Sequence, residues 1–210
     1  MKKQKFFNFD SYNNMDINNF FVNDTNIHSF ETLTKNTLNK NILLVGPKKS
    51  GKTHLANIWM KKNDSVFFNK NFKEIISIKK NIIFDTDLTT SSEEDLFHII
   101  NHCFLNSLKI LVITSFDLFE YNFKLPDLKS RLKSFFYTRI KLPDDEMLLN
   151  ILTKKLTEKQ FIINNKDIFD YLLNHVTRSY EEINNVIDKI DNLSLEKKRQ
   201  LTIPLIKEIL

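Results

Sequence analysis

Gly46, Gly51, Lys52 and Thr53 have the types and spacing of a phosphate-binding loop. The run Gly46-Pro47-Lys48-Lys49-Ser50-Gly51-Lys52-Thr53 fits G-x-x-x-x-G-K-[ST]. In that pattern backbone N–H groups of the loop and of the following helix cradle phosphate oxygens. Lys52 reaches the β/γ oxygens, and the Thr53 hydroxyl ligates Mg²⁺. Gly46 and Gly51 are the two glycines of a 210-residue chain. A sequence that otherwise avoids glycine has kept it where backbone must approach an anion. Asn41–Val45 before the loop reads as a buried strand and Thr53–Met60 after it as a helix, which is the context the motif requires. His54 continues the candidate cofactor-binding set into the helix.

Such a site needs an acid that holds Mg²⁺ through its water shell, placed at the carboxyl end of a buried strand. Ile82-Ile83-Phe84-Asp85 offers Asp85 as that catalytic and metal-holding acid; a helix-capping role for the same residue is the alternative. Thr86 stands where ATP-hydrolysing relatives of this loop carry a second acid, and Asp87 is two residues on. The sequence therefore points to nucleotide binding more than to efficient self-hydrolysis. Thr114 and Ser115 end the next buried strand. Thr114 either contacts the γ-phosphate or simply closes a strand.

Elements that alternate along the chain must position these groups. Strands are predicted over 42–45, 65–69, 81–85, 109–115 and 136–142. Helices are predicted from about Asp24 to Thr37, then over 53–62, 72–78, 91–106 and 128–135. Ser91 or Ser92 would cap the 91–106 helix, whose apolar stripe is read as Phe97, Ile100 and Phe104 around Cys103. This is the pattern of an α/β fold, a parallel sheet with helices on both faces. After Pro143 the period changes. Leu148, Leu152 and Leu156, then Ile168, Leu172 and Val176, then Ile183, Val186, Ile187 and Ile190, make amphipathic helices of a small bundle, and Pro204 lies near the start of a last helix. The expected organisation is an arm at 1–19, a nucleotide-binding α/β core at 20–143 and a helical subdomain at 144–210.

The composition is that of a globular chain, 41% hydrophobic and 27% charged, with 19 Phe available for a core. Net charge is +5, which suits an acidic partner or nucleic acid, although the lysines are spread along the chain. A single cysteine, Cys103, excludes an internal disulfide and fits a reducing compartment. No apolar run reaches the ~18 residues of a membrane span, and the N-terminus lacks the ~7–15-residue apolar stretch of a signal peptide. The expected location is cytoplasmic.

The order of phosphate loop, Asp-ended strand, Thr/Ser-ended strand and helical lid resembles that of AAA+ ATPases. Leu125-Pro-Asp-Leu-Lys-Ser-Arg131-Leu looks like the arginine-finger segment of the DnaA branch. Together with the ending Leu201–Leu210, it is most similar to the Hda-like members, which lack the DNA-binding domain. Asn19–Asn26 resembles the family segment that packs near adenine, with Asn23 in place of a glycine; Asn tolerates left-handed backbone, so the turn is expected to survive.

The resemblance implies ADP or ATP with Mg²⁺ as cofactors. It also implies that Arg131 acts as a finger in trans on ATP held by the DnaA initiator. The family's lid offers a sensor arginine where this chain has Glu181; Arg178, one turn earlier, is the candidate replacement. Hda-like proteins start with a peptide that docks on the DNA polymerase sliding clamp. Gln4, Phe6, Phe7 and Phe9 are its counterpart here, with Lys5 where the family has Leu. DNA is then met through the clamp, no membrane is involved, and a homodimer is compatible with the family. Two other readings remain open: an ATP-hydrolysing AAA+ replication factor or helicase loader, and an adaptor for which nucleotide only stabilises the fold.

Overall fold

The computed structural model describes residues 15–35, 40–69, 71–85, 93–117, 120–161, 163 and 167–210. Gln4, Phe6, Phe7, Phe9, Thr86, Asp87, Ser91 and Ser92 lie outside the described residues. Five parallel strands, β1 (Ile42–Val45), β2 (Ser65–Phe67), β3 (Asn81–Asp85), β4 (Ile110–Thr114) and β5 (Phe136–Arg139), pair in the order β2-β3-β4-β1-β5. Alternation along them feeds two apolar cores, as expected of strands covered on both faces. Leu43, Val45, Ile82, Phe84, Ile110 and Val112 face one core. Ile42, Leu44, Ile83, Leu111 and Ile113 face the other.

Helix α1 (Ile27–Thr34) precedes the first strand, and α2 (Lys52–Asn63), α3 (Phe72–Ser77), α4 (Glu93–Leu105) and α5 (Pro126–Lys133) lie between successive strands. α1 begins three residues later than the sequence pattern predicts, because Asn23 and Asn26 organise a turn there. Asn26 Oδ1 accepts from the Asn23 N–H at 3.0 Å, and the Ile27 N–H donates to the Asn23 carbonyl at 2.9 Å. β5 stops at Arg139 rather than Leu142. The Lys141 N–H turns away from the sheet to donate to the Thr25 carbonyl at 2.9 Å.

The stripe of α4 is corrected by one position. Leu96, Ile99, Ile100 and Cys103 are buried, whereas Phe104 is 75% exposed. Two overlapping apolar stripes run along this helix, and the sheet covers the one that starts at Leu96.

A third core lies in α6 (Asp145–Glu158), α7 (Asp167–His175), α8 (Tyr180–Lys197) and α9 (Ile203–Lys207). Leu148, Leu152, Leu156, Ile168, Leu172, Ile183, Val186, Ile187 and Ile190 are all buried there. Asp144 caps α6 by accepting from the Met147 N–H at 2.7 Å, and Ser179 caps α8 by accepting from the Glu182 N–H at 3.0 Å. Met147 and Tyr180 reach out of this bundle into the second sheet core. Residues 15–19, assigned by sequence to the arm, lie on α2: the Met15 Sδ accepts from Asn57 Nδ2 at 3.0 Å, and Asp16 pairs with Lys61. Among the described residues no helix is long and apolar enough to cross a membrane.

Candidate functional site

The register of the sheet brings the candidate groups to one edge. Val45 is opposite Thr114, Asp85 opposite Ile113, and Arg139 opposite Val45, so β1, β3, β4 and β5 all end on the side where the loop 46–51 begins. The carboxyl edge of a parallel sheet is where ligands bind in such folds.

Both glycines of the loop are required by their surroundings. A Cβ on Gly46 would lie 2.9 Å from the Ile140 Cβ. Gly51 has φ +90°, and a Cβ there would lie 3.0 Å from the Phe20 ring. Lys49 also has a left-handed backbone, φ 62°. This geometry turns the chain into α2, whose first residue is Lys52 and whose N-terminus has no side-chain cap. The first N–H groups of a helix lack intrahelical acceptors, so an uncapped start of this kind suits an anion. The Ser50 hydroxyl is buried without a hydrogen-bond partner, again at the loop.

Lys52 folds back over the loop. Its Nζ donates to the Gly46 carbonyl at 2.8 Å and the Pro47 carbonyl at 2.7 Å. Burial lowers its pKa and nearby Lys48 adds to this, against the opposing pull of Asp85. Thr53 Oγ1 donates to Asp85 Oδ2 at 2.6 Å. A hydroxyl and a carboxylate from separate elements are thus in contact at the helix start. Hard oxygen donors of this kind suit Mg²⁺, which takes few protein ligands and completes its shell with phosphate and water. The site fits a nucleotide phosphate chain with Mg²⁺. When bound, the metal would neutralise phosphate charge; this chain's own contribution is the loop N–H groups, the Lys52 ammonium and the Thr53–Asp85 pair.

A cleft of about 220 Å³ opens beside the loop, with Phe20, Phe21, Asn26, Met147, Ile151 and Tyr180 among its walls. A second, of about 710 Å³, shares several lining residues with it and reaches α8 at Asn184, Asn185 and Asp188. Lys49, Ser50, Gly51 and His54 line both. The Asn19–Asn26 segment is therefore beside the loop, with Phe20 stacked on Phe30 at 5.7 Å and edge-on to His54 at 5.2 Å. Burial lowers the His54 pKa; its Nε2 is 2.9 Å from the Asp16 carbonyl.

Asn23 is not among the left-handed residues of the described chain, contrary to expectation. Its side chain holds the turn instead. Oδ1 accepts from the Thr25 N–H at 3.0 Å and hydroxyl at 2.6 Å, and Nδ2 donates to Asp144 at 2.9 Å.

Other candidates stand apart. Lys48, exposed on the loop, lines neither cleft, and the Pro47 carbonyl serves Lys52. The Thr114 hydroxyl donates to the Phe116 carbonyl at 2.9 Å, while the Thr114 carbonyl accepts from the Gly46 N–H at 3.2 Å. It supports the start of the loop and lines neither cleft.

Arg178, the candidate lid cation, makes its contact outside the clefts. Its guanidinium is paired with Asp145 at 2.8 Å on an exposed face, and it too lines neither cleft. Arg131 lies on α5 with its guanidinium carbon 5.0 Å from the centre of the Phe97 ring, away from the loop's clefts.

Sequence reasoning missed the α6 wall. Met147, Ile151, Lys154, Lys155 and Glu158 follow helical spacing beside the core stripe of Leu148, Leu152 and Leu156, and that second stripe was the available signal. It also missed Glu93, a buried carboxylate that accepts from the Lys124 and Leu125 N–H groups at 3.1 and 3.0 Å, just ahead of α5.

Residues 144–210 match the family model described as Hda, lid domain. The C-terminal subdomain belongs to the Hda lid family. It is 30% identical over 120 residues to the chromosomal replication initiator protein DnaA of Buchnera aphidicola subsp. Cinara cedri, a match covering 57% of this chain and 27% of that protein. A protein of Haemophilus influenzae without assigned function is 24% identical over 214 residues, covering 90% of this chain and 91% of its own length. Domain III of Thermotoga maritima DnaA superposes with a TM-score of 0.74 at 16% identity, covering 93% of this chain and 95% of that one. AMPPCP-bound DnaA from Aquifex aeolicus does so with a TM-score of 0.65 at 23% identity, over 86% of this chain and 67% of that one. The α/β sheet and the C-terminal helices thus form the AAA+ fold, with the lid at the C-terminal end.

Proposed function

We propose that this protein binds ADP or ATP with Mg²⁺ at the 46–53 loop and uses Arg131 to promote hydrolysis of ATP held by DnaA. The observation that carries the reading is the position of Arg131. It lines neither cleft beside the protein's own phosphate loop, so its charge is available to a nucleotide on another subunit. An arginine supplied in trans to a phosphoryl-transfer site is worth ~10³–10⁵ in rate. The Hda lid match and the DnaA relatives favour DnaA as the subunit that receives it. The AMPPCP held by a DnaA of the same fold favours an adenine nucleotide here.

In this reading Gln4, Phe6, Phe7 and Phe9 dock the protein on the sliding clamp, so DNA is met through the clamp in the cytoplasm. Own turnover is weak, because Arg178 is committed to Asp145 rather than to the cleft. The chain works as a monomer or as a homodimer.

The test is hydrolysis of ATP pre-bound to DnaA, with ADP and clamp-loaded DNA, comparing this protein with Arg131→Ala. Stimulation that the variant loses supports the reading. Equal stimulation by both proteins removes Arg131 from the mechanism. Substantial hydrolysis by this protein alone, lost in Lys52→Ala, replaces the reading with that of an autonomous ATPase.

A further inference from the structure

Among the described residues, two lysines of the cleft beside the phosphate loop have no carboxylate or acceptor partner: Lys49, exposed on the loop itself, and Lys155, half-buried on α6. Lys154, Lys155 and Glu158 of α6 line both clefts, across from Lys49, Ser50 and Gly51. Apart from exposed Lys49, the charges around Lys155 are already matched. Lys154 donates to the Asn19 carbonyl at 2.7 Å and lies 3.9 Å from Glu158. Asp188, which enters the cleft from α8, is 3.4 Å from Lys159, and Lys159 is also 2.6 Å from Asp191. Lys52 is bonded to the Gly46 and Pro47 carbonyls. Lys155 is half-buried, and among the described residues its ammonium has neither a carboxylate within ion-pair distance nor a hydrogen-bond acceptor. A half-buried ammonium with no carboxylate beside it, in a cleft lined by a phosphate loop, is a ready partner for a bound anion.

The position of Lys155 on its helix is set by packing. Leu148, Leu152 and Leu156 are buried in the C-terminal core. Ile151 packs against both that core and the sheet core next to it. Lys155 follows Ile151 by four residues, so the same helix face that leaves the core at Ile151 carries the ammonium over the cleft. α6 is fixed to the core by its Asp144 cap and by Asn23, which donates to that same carboxylate. The lysine is therefore presented to the cleft from a packed helix.

We propose that Lys155 is a phosphate-binding residue that grips the polyphosphate chain of a nucleotide seated on the 46–53 loop. It does the work expected of Arg178, which in this structure is paired with Asp145 on an exposed face. The assignment rests on the nucleotide-binding reading above and names a residue that reading does not use. Closure of the cleft around phosphate then needs no lid arginine: α6 supplies the charge opposite the Lys52 side of the loop.

The experiment is calorimetric titration of the full chain with ATP and with ADP in the presence of Mg²⁺. Lys155→Ala, Lys155→Arg, Lys189→Ala and Lys52→Ala are compared with the unsubstituted protein. Lys189 is exposed on α8 and lines neither cleft, so it controls for the loss of one positive charge. Lys155→Ala is expected to weaken ATP binding roughly tenfold or more, as loss of a charged hydrogen bond does. Lys155→Arg should bind within about threefold of the unsubstituted protein, since it keeps the cation. The nucleotide-free melting temperature of Lys155→Ala should not fall, which separates phosphate contact from a structural role. If ATP binds, Lys52→Ala abolishes it and Lys155→Ala stays within twofold, the Lys155 assignment alone is overturned. If the unsubstituted protein binds neither nucleotide, the nucleotide reading is overturned and this assignment with it.

Discussion

Arg131 is seated on the face of Phe97, its guanidinium carbon 5.0 Å from the ring centre. Four residues before Phe97 on the same face of α4, the Glu93 carboxylate accepts from the N–H groups of Lys124 and Leu125. One helix thus holds the start of α5 through Glu93 and its arginine through Phe97. Glu93 is only 9% exposed, so removing it leaves two N–H groups in a poorly hydrated place. Loss of such charge-assisted bonds costs about 1.5–3 kcal/mol each when the partners stay buried. Glu93→Ala is expected to lower unfolding stability by about 3–6 kcal/mol in urea titrations. A change below about 0.5 kcal/mol would mean that the carboxylate does not anchor the α5 entry.

The Phe97 contact makes a separate prediction. A cation over an aromatic face is worth about 0.5–1 kcal/mol at exposed sites and more when desolvated. Phe97→Leu keeps apolar volume and removes the ring, whereas Phe97→Tyr keeps the ring. If the ring orients the finger, Leu lowers stimulation of DnaA-bound ATP hydrolysis several-fold and Tyr does not. Equal stimulation by both would assign Phe97 to packing alone.

The Thr53–Asp85 bond of 2.6 Å predicts a metal-dependent effect. Asp85→Asn retains a polar side chain but removes the charge that would hold Mg²⁺. Nucleotide affinity should fall about tenfold to a hundredfold with Mg²⁺ present and change little in EDTA, on the scale of a charged hydrogen bond. An equal loss in both buffers would place Asp85 on the nucleotide or on the fold, not on the metal.

Much of this site was legible because its decisive residues are local. The loop from Gly46 to Thr53 is one contiguous motif. Residues 42–45 of β1, 82–84 of β3 and 110–113 of β4 are apolar throughout and buried on both faces. The bundle after Pro143 was legible for a similar reason, since Leu148, Leu152 and Leu156 repeat at one spacing.

What could not be read depends on which of two acceptable partners a side chain finds. Phe97, Ile100 and Phe104 and the sequence Leu96, Ile99, Ile100 and Cys103 are both apolar stripes on α4, and only packing on the sheet selects the second. Glu93 reads as an acid favouring a helix N-terminus until α5 is folded against it. Arg178 faces Asp145, 33 residues earlier in the chain, on a helix whose start is set by the Asp144 cap.

Gly51 tests the loop geometry directly. Its φ is +90°, and an added Cβ would meet the Phe20 ring at 3.0 Å. Left-handed backbone costs an L-residue about 1–2 kcal/mol before any clash. Gly51→Ala should therefore destabilise the fold by at least about 1 kcal/mol and weaken nucleotide binding by more than that loss explains, because the loop N–H groups are displaced. Intact affinity together with unchanged stability would show that the loop adopts another conformation in solution.

The buried imidazole beside the loop makes stability depend on pH in a defined direction. His54 takes up a proton near pH 6.5 when unfolded, but burial lowers its pKa in the folded chain, outweighing the Asp16 carbonyl that favours the charged ring. Between the lowered folded value and 6.5 the unfolded state therefore binds more protons. In that window stability rises with pH. Its contribution is complete above about pH 6.5 and is lost as pH falls through the window, levelling off below the folded value. Lys61 and Lys154 lie close enough to oppose the charged ring, while the Asp16 carboxylate offsets them in part. Urea midpoints measured from pH 8 to pH 5 for the unsubstituted protein and His54→Gln should separate this group from the other titrating residues. The glutamine variant is expected to lose less stability over the acidic part of that range. Parallel midpoints for the two proteins would mean that His54 titrates alike in the folded and unfolded chains, and that Phe20 and Asp16 do not shield it from water.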